Sequence, residues 1–102
     1  MPEVPLAVEY DAAAALLAVS GDVDEESTET LRRAIEEHSA GYTTGLTVDL
    51  TGATYLPSVA IAVLVRAEQG FAASGAPFEL VAATGSLAQR VLTVSAMPHR
   101  SS

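Results

Sequence analysis

Apolar residues recur along this chain with two different periods. Near the amino terminus Val4, Leu6 and Val8 stand at every second position, which predicts a strand with one buried face. A second apolar run, Ala15 to Ser20, predicts the return strand of a hairpin, with the turn between the strands at Asp11 and the alanines that follow it.

The spacing then changes to that of an amphipathic helix. The residues predicted to form its buried side are Leu31, Ala34, Ile35 and His38. Asp24 precedes this run and is predicted to cap the helix, because its carboxylate can accept hydrogen bonds from free backbone N–H groups. Gly41 is predicted to end it, since glycine adopts the backbone conformation that helix ends require.

A short apolar strand and a longer helix follow in the middle of the chain. Leu46 to Leu50 has the pattern of the strand, and Thr51 to Ser58 is predicted to be a loop. From Val59 to about Ala73 the pattern is helical, and the first two turns, Val59 to Val65, are apolar on all sides and are expected to be buried. Gly75 is predicted to end this helix.

The last two predicted elements are a strand and a helix. Phe78 to Val81 is a short apolar run typical of a strand, and a helix is predicted from about Ser86 to Val94. The apolar face of this helix is assigned to Leu87, Val91 and Val94.

The predicted order of elements is β-β-α-β-α-β-α. Strands that alternate with helices after an opening hairpin indicate an α/β fold, with a mixed sheet of four or more strands and helices packed against it. The 102-residue chain has room for one domain, which we assign to residues 1–97. Residues 98–102 are predicted to be a C-terminal tail.

Charge and composition exclude several kinds of function. The net charge is -8, from 13 acidic and 5 basic residues, so nucleic acid and anionic membrane surfaces are not expected as partners. The chain has no cysteine, which excludes disulfides and thiolate nucleophiles. Its longest apolar stretch, Val59 to Val65, is far shorter than the roughly 20 residues that span a bilayer. We expect a soluble, cytoplasmic protein with no direct membrane insertion.

Ser58 is the most informative candidate for a functional residue. Pro57 fixes its own φ and favours an extended conformation before the helix, which places Ser58 at or beside the helix N-terminus. A phosphate at this position would meet free backbone N–H groups and the positive end of the helix dipole. The alternative is a serine that only caps the helix, since serine is among the commonest N-cap residues.

Three segments together resemble the STAS domain family, whose best-known members are the bacterial anti-sigma factor antagonists. They are Val19 to Asp24, Leu46 to Leu50 and Tyr55 to Leu64. The similarity extends from Leu6 to about Met97, and the family has the element order predicted above.

The resemblance implies a partner and a regulated residue. In the family, an anti-sigma factor that is also a serine kinase phosphorylates the antagonist, and Ser58 matches the phosphorylated position. Pro57 stands where the family usually has Asp, Val59 where it has Ser or Thr, and Ala60 where it has Gly. The partner-binding residues predicted from the resemblance are Asp22, Asp24, Tyr55, Leu56, Pro57, Ser58 and Val59.

Two other functions remain open. The first is a STAS subunit of a membrane lipid-transport complex, or more generally a protein-binding STAS module that is not phosphorylated. The second is an enzyme, which would require a cluster of catalytic acids or bases. The sequence offers no such cluster, no metal-binding spacing and no glycine-rich phosphate loop, so we expect a non-enzymatic protein without a metal or cofactor. His38 is predicted to be a structural residue.

Overall fold

Three helices and a five-stranded mixed sheet make up the residues that the structure describes. The structure is a computed structural model, and it describes residues 5–94 and 97–101. The elements are β1 (Ala7–Asp11), β2 (Leu16–Asp22), α1 (Ser27–His38), β3 (Leu46–Tyr55), α2 (Ser58–Ser74), β4 (Phe78–Ala82), α3 (Leu87–Val94) and β5 (Arg100–Ser101). The predicted α/β fold and the order of the first seven elements are confirmed. Val4 of the predicted first strand and Ser102 of the predicted tail lie outside the described residues.

The strands lie in the sheet in their order along the chain. β1 and β2 are antiparallel, whereas β2, β3, β4 and β5 run parallel to one another. Each parallel connection steps in the same direction, and because such connections are right-handed, all three helices lie on one face of the sheet. The core therefore forms between that inner face and the helices. Its fully buried members include Leu17, Val48, Leu31, Leu64 and Leu92.

α1 packs as its sequence pattern predicts. Leu31, Ala34 and Ile35 are buried. His38 is half-buried at the end of the helix, where its ring stacks on Tyr10 of β1 with 4.0 Å between the ring centroids. The structural interpretation of His38 therefore agrees with its surroundings.

The carboxyl end of α2 is fixed by aromatic packing and by a glycine cap. Gly75 has a φ of 81°, a left-handed conformation that glycine adopts without strain, and its N–H donates to Phe71 O over 2.9 Å. Phe71 is buried between Phe78, which stacks on it, and Tyr42, which meets it edge to face. Gly70 gives Tyr42 room, because a Cβ at this position would lie 2.6 Å from the tyrosine ring.

The predicted loop from Thr51 to Ser58 is mostly a strand. β3 continues to Tyr55 because β2 continues to Asp22 and offers it a parallel partner across two register irregularities. Gly52 allows the close approach of the two strands, since a Cβ there would lie 2.9 Å from Ser20 Cβ. The prediction was wrong because local composition typical of a turn was outweighed by a pairing between distant residues.

The expectation that Val59 to Val65 is buried on all sides is also wrong. Ala60, Ile61 and Leu64 are buried, but Val59 is 43% exposed and Ala62 is exposed as well. Since the sheet lies on only one side of α2, the opposite side of the helix faces solvent even where its residues are apolar.

In α3 the predicted apolar face is confirmed only at Val91, which is half-buried and packs against the core. Ala88 and Leu92 pack into the core, whereas Leu87 is 44% exposed and Val94 is 82% exposed. Gln89 N donates to Ser86 Oγ over 3.0 Å, and Gln89 Oε1 accepts from Gly85 N over 2.6 Å. These two bonds link Gln89, in the first turn of α3, to Gly85 and Ser86, which precede the helix. Within α3 the small residue Ala88 faces the sheet.

The predicted tail, 98–102, contains a further strand. Arg100 and Ser101 pair in parallel with Val81 and Ala82 of β4, so these two residues are part of the sheet. An ion pair with 3.5 Å between Arg100 Nη2 and Glu79 Oε2 also links the segment to β4.

The contrast between Leu64 and Val59 provides a test of this packing. We expect Leu64→Ala to lower the free energy of unfolding by about 2–5 kcal/mol, because Leu64 is fully buried and its truncation leaves a cavity. Val59→Ala on the exposed side of the same helix should cost less than about 1 kcal/mol. Chemical denaturation measures both, and equal effects would contradict the described orientation of α2.

Candidate functional site

One edge of the sheet collects the residues that the sequence marks as functional. The parallel strands β2, β3 and β4 all end there, and α1, α2 and α3 begin there. We call residues 22–24, 54–59 and 84–87 the carboxyl edge. Binding sites of parallel α/β sheets are commonly built at such an edge, because the loops that leave the strands converge on it.

At the start of α1, Asp24 and Ser27 hold each other in place. Asp24 Oδ1 accepts a hydrogen bond from Ser27 N over 2.7 Å, and Ser27 Oγ accepts one from Asp24 N over 2.8 Å. Thr28 N donates to Asp24 O over 3.0 Å. The regular helix begins at Ser27, but these bonds show that Asp24 caps it, as predicted. The bonds from Ser27 lower the pKa of the Asp24 carboxyl below its ordinary value.

The ends of β2 and β3 are joined side chain to side chain. Thr54 Oγ1 donates a hydrogen bond to Asp22 Oδ1, and Val23 N donates to Tyr55 O over 3.3 Å. The Asp22 carboxylate is therefore occupied in holding this edge together. Thr54 has a role that the sequence did not indicate, because its partner is 32 residues away along the chain.

Pro57, and not Ser58, occupies the N-cap position of α2. Pro57 has φ -73° and ψ 165°, and its carbonyl accepts from Ala60 N over 2.9 Å and from Ile61 N over 3.1 Å. Ser58 is thus the first helical residue. Its side chain is exposed, and its hydroxyl makes no hydrogen bond to any residue within 5–94 or 97–101. The alternative of a serine whose hydroxyl caps the helix is therefore wrong.

The position of Ser58 at a helix N-terminus favours a negative charge. It opens a helix of 17 residues, and the first turn of that helix contains no acidic residue. The positive end of the helix dipole and the first backbone N–H groups of a helix stabilise anions placed there. A phosphate on the Ser58 hydroxyl would therefore be compatible with the fold.

Exposed apolar side chains lie on the same edge of the sheet as this serine. Four large hydrophobic residues are exposed in the part of the chain that the structure describes, and three of them, Tyr55, Val59 and Leu87, belong to the carboxyl edge. Tyr55 is 49% exposed. Exposed large apolar side chains at one edge of a domain are a feature of protein-interaction sites. Leu87 was missed as a candidate because the sequence assigned it to a buried face.

The predicted partner-binding residues differ in what they can contact. Tyr55, Ser58 and Val59 present their side chains to solvent, and Asp24 is exposed as well. Leu56 is only 3% exposed and belongs to the core, so its side chain is not presented on the surface of the domain. Its apolar side chain anchors the segment between β3 and α2, and this positions the exposed residues on either side of it.

The described residues offer little for metal or acid–base chemistry. No group of three or more His, Asp or Glu side chains within 5–94 or 97–101 is placed to hold a metal ion. His99 Nδ1 forms a hydrogen bond of 2.8 Å with Met97 O, and His38 stacks on Tyr10, so both rings have structural partners. Among the helices that the structure describes, none has the length and apolar character required to cross a membrane.

Comparison with known families agrees with this architecture. The family model described as Mlab, STAS domain, matches residues 6–98. The chain belongs to the STAS domain family. A search of curated proteins finds no significant match to this STAS domain.

Solved structures resemble the STAS domain at low sequence identity. An anti-sigma factor antagonist from Mycobacterium paratuberculosis is 21% identical, with a TM-score of 0.74, over 95% of this chain and 85% of that one. SiaC of Pseudomonas aeruginosa is 20% identical, with a TM-score of 0.61, over 100% of this chain and 94% of that one. An anti-sigma factor antagonist STAS domain from Rhodobacter sphaeroides is 17% identical, with a TM-score of 0.52, over 76% and 85%. These likenesses establish the shared fold.

The lowered pKa of Asp24 predicts how pH affects the helix cap. A carboxyl with a lowered folded-state pKa stabilises the fold above its unfolded pKa, and this contribution is lost as the pH falls through the folded value. We expect Asp24→Asn to be less stable than the wild type at neutral pH, and the difference to shrink as the pH falls below about 4. Thermal unfolding across this range measures it.

Glu25→Gln is the matched control for this experiment. It removes the same charge from the neighbouring exposed residue, which the structure does not place in the cap. If Glu25→Gln reproduced the pH dependence of Asp24→Asn, the effect would come from net charge and not from the bonds between Asp24 and Ser27.

Proposed function

We propose that this STAS domain is a protein-binding regulator of the anti-sigma factor antagonist type. The observation that carries the proposal is the carboxyl edge, which exposes the apolar side chains of Tyr55, Val59 and Leu87 and the hydroxyl of Ser58, which has no hydrogen-bond partner among the described residues. Two of the structures that share its fold are anti-sigma factor antagonists, which supports the same interpretation.

The proposed partner is an anti-sigma factor with serine kinase activity. The kinase would transfer the γ-phosphoryl group of ATP to Ser58 Oγ, with the hydroxyl proton passing to a base of the kinase and ADP leaving. The phosphoserine would carry a charge of about -1.5 to -2 at neutral pH. A charge of this size next to Tyr55 and Val59 opposes their burial against a partner, since it must be desolvated, whereas the helix N-terminus tolerates it.

We also propose that the domain itself is not an enzyme. The exposed groups of the carboxyl edge are apolar side chains, the hydroxyls of Thr54, Ser58 and Thr84, and the capping carboxylate of Asp24, which suit binding better than acid–base catalysis. We therefore assign the phosphoryl transfer to the partner, with Ser58 as its substrate.

The alternative function is a STAS subunit of a membrane lipid-transport complex, or another binding module that is not phosphorylated. Two observations favour this alternative. Pro57 caps α2 where the antagonists usually have an aspartate, and Val59 adds apolar bulk beside the serine. In addition, the matching family model is described as the Mlab STAS domain and not as an antagonist. Identification of the protein captured from cell extract by the tagged domain separates the two functions.

The role of Ser58 is tested with two substitutions. We expect Ser58→Glu to weaken binding of the captured partner about tenfold, which corresponds to about 1.4 kcal/mol, and Ser58→Ala to change it less than about twofold. Incubation with the partner and ATP should add one phosphate to the wild type and none to Ser58→Ala, as measured by intact mass. If the wild type gains no phosphate and all three proteins bind equally, Ser58 is not a switch.

The apolar surface is tested separately on α3. Leu87→Asp places a charge on the carboxyl edge and should weaken partner binding at least about tenfold, because a buried unpaired charge is costly. Val94→Asp is the matched control, since it introduces the same charge at the more exposed far end of the same helix. Calorimetry measures both affinities. Equal losses, or no loss in either variant, would place the interface away from the carboxyl edge.

A further inference from the structure

A second surface of the domain is left open by the arrangement of the helices. All three helices cover the inner face of the sheet, and directly paired residues on neighbouring strands define the opposite, outer face. One row across this outer face consists of Glu9, Ala18, Asp49, Val81 and Arg100. The next row consists of Asp11, Leu16, Thr47 and Glu79. Val81 is buried but does not belong to the core cluster, as expected for a residue on this side.

The outer face has an apolar strip with acidic flanks. β2 contributes the partly exposed side chains of Leu16 and Ala18, which lie in the same column. β1 contributes Glu9 and Asp11 on one side of this strip, and β3 contributes Asp49 on the other. The single base in the two rows, Arg100, is already paired with Glu79. Glu9, Asp11 and Asp49 form no ion pair within residues 5–94 and 97–101, so negative charge borders the strip on both sides.

Two of these carboxylates are held in fixed positions. Asp11 Oδ1 accepts from Ala13 N over 3.0 Å, and Asp49 Oδ1 accepts from Thr51 N over 2.9 Å. In each case these backbone bonds use one carboxylate oxygen and leave the other for a partner. Preorganised carboxylates of this kind lose less conformational freedom on binding than mobile side chains do.

The dimensions of the strip suit one type of ligand. Neighbouring strands lie about 4.8 Å apart, so the acidic side chains of β1 and β3 stand roughly 10 Å from each other across β2. A helix with its side chains is about 10–12 Å in diameter. We propose that the outer face binds a basic amphipathic helix of a protein partner, seated along β2 with its apolar side on Leu16 and Ala18 and its Lys and Arg side chains on the flanking acids.

Charge argues against the other possible occupants. A second copy of the chain placed on the same face would bring the acids of two outer faces together, and like charges across an interface disfavour binding. Nucleic acid and anionic lipid are repelled for the same reason. This inference is independent of the proposed function, because the outer face and the carboxyl edge share no residue.

A synthetic peptide provides the probe for this surface. A helix of about 18 residues, with leucines along one side and lysines on both flanks, spans five turns and exceeds the length of the strip. We expect it to bind the domain in a salt-dependent way, and the NMR shifts that it induces to map to β1, β2 and β3. A scrambled peptide of the same composition should bind at least about tenfold more weakly, as expected when an ordered apolar side contributes.

Paired charge variants separate this site from the general attraction of an acidic protein. Glu9→Gln with Asp49→Asn should weaken peptide binding about tenfold. Glu25→Gln with Glu37→Gln removes the same charge beside and within α1, on the other side of the sheet, and should change binding less than about twofold. Equal losses in both double variants, or shifts confined to α1, would overturn the proposal.

Ala18→Glu distinguishes binding of the peptide along β2 from electrostatic attraction alone. The substitution adds a negative charge but fills the strip, so we expect weaker peptide binding although the domain becomes more acidic; tighter binding would overturn the proposal. Circular dichroism confirms that the variant is folded.

Sedimentation of the free domain should give a monomer, and a dimer disrupted by Ala18→Glu would assign the face to a second copy instead. Leu87→Asp should leave peptide binding unchanged. A failure of the outer-face proposal can therefore be distinguished from a failure of the function proposed for the carboxyl edge.

Discussion

The right-handed connections between parallel strands determine the shape of this domain. Because β2, β3, β4 and β5 follow one another across the sheet in a single direction, each connecting helix must lie on the same face. One face is therefore buried and the other is not, and all three helices begin at one edge. The separation of a core, a carboxyl edge and an outer face follows from this one constraint.

At the start of α2, the residues that stabilise the helix are distinct from the serine that we propose to be phosphorylated. The carbonyl of Pro57 receives the first hydrogen bonds of the helix, and buried Leu56 anchors the preceding segment. The Ser58 side chain is exposed and makes no hydrogen bond within residues 5–94 and 97–101, so its hydroxyl is available for chemistry that leaves the fold intact. At α1 the opposite holds, since the Asp24 side chain is itself the cap and a change there acts on stability.

Much of the fold could be predicted because its signals are local. The alternation of Leu6 and Val8 at β1, the spacing of Leu31 and Ile35, and the glycine after α2 each report structure within a few neighbouring positions. The carboxyl part of β3 could not be predicted in this way, because it depends on pairing with β2. α3 was misassigned because its apolar residues form two stripes, and the smaller one, containing Ala88, is buried. The position of Ser58 at the start of α2 could be predicted from the sequence. The exposure of Leu87 on the same edge could not, because it depends on which apolar residues of α3 face the core.

The aromatic residues give this domain a built-in optical probe. The chain has three tyrosines and no tryptophan, so its ultraviolet fluorescence comes from tyrosine. Tyr10 is stacked on His38, and Tyr42 is held against Phe71, whereas Tyr55 projects from the carboxyl edge. Tyr10 and Tyr42 are therefore held in place by the fold, whereas the emission of Tyr55 depends on its exposure to solvent. A partner that covers this edge would change the signal of one known residue without any added label.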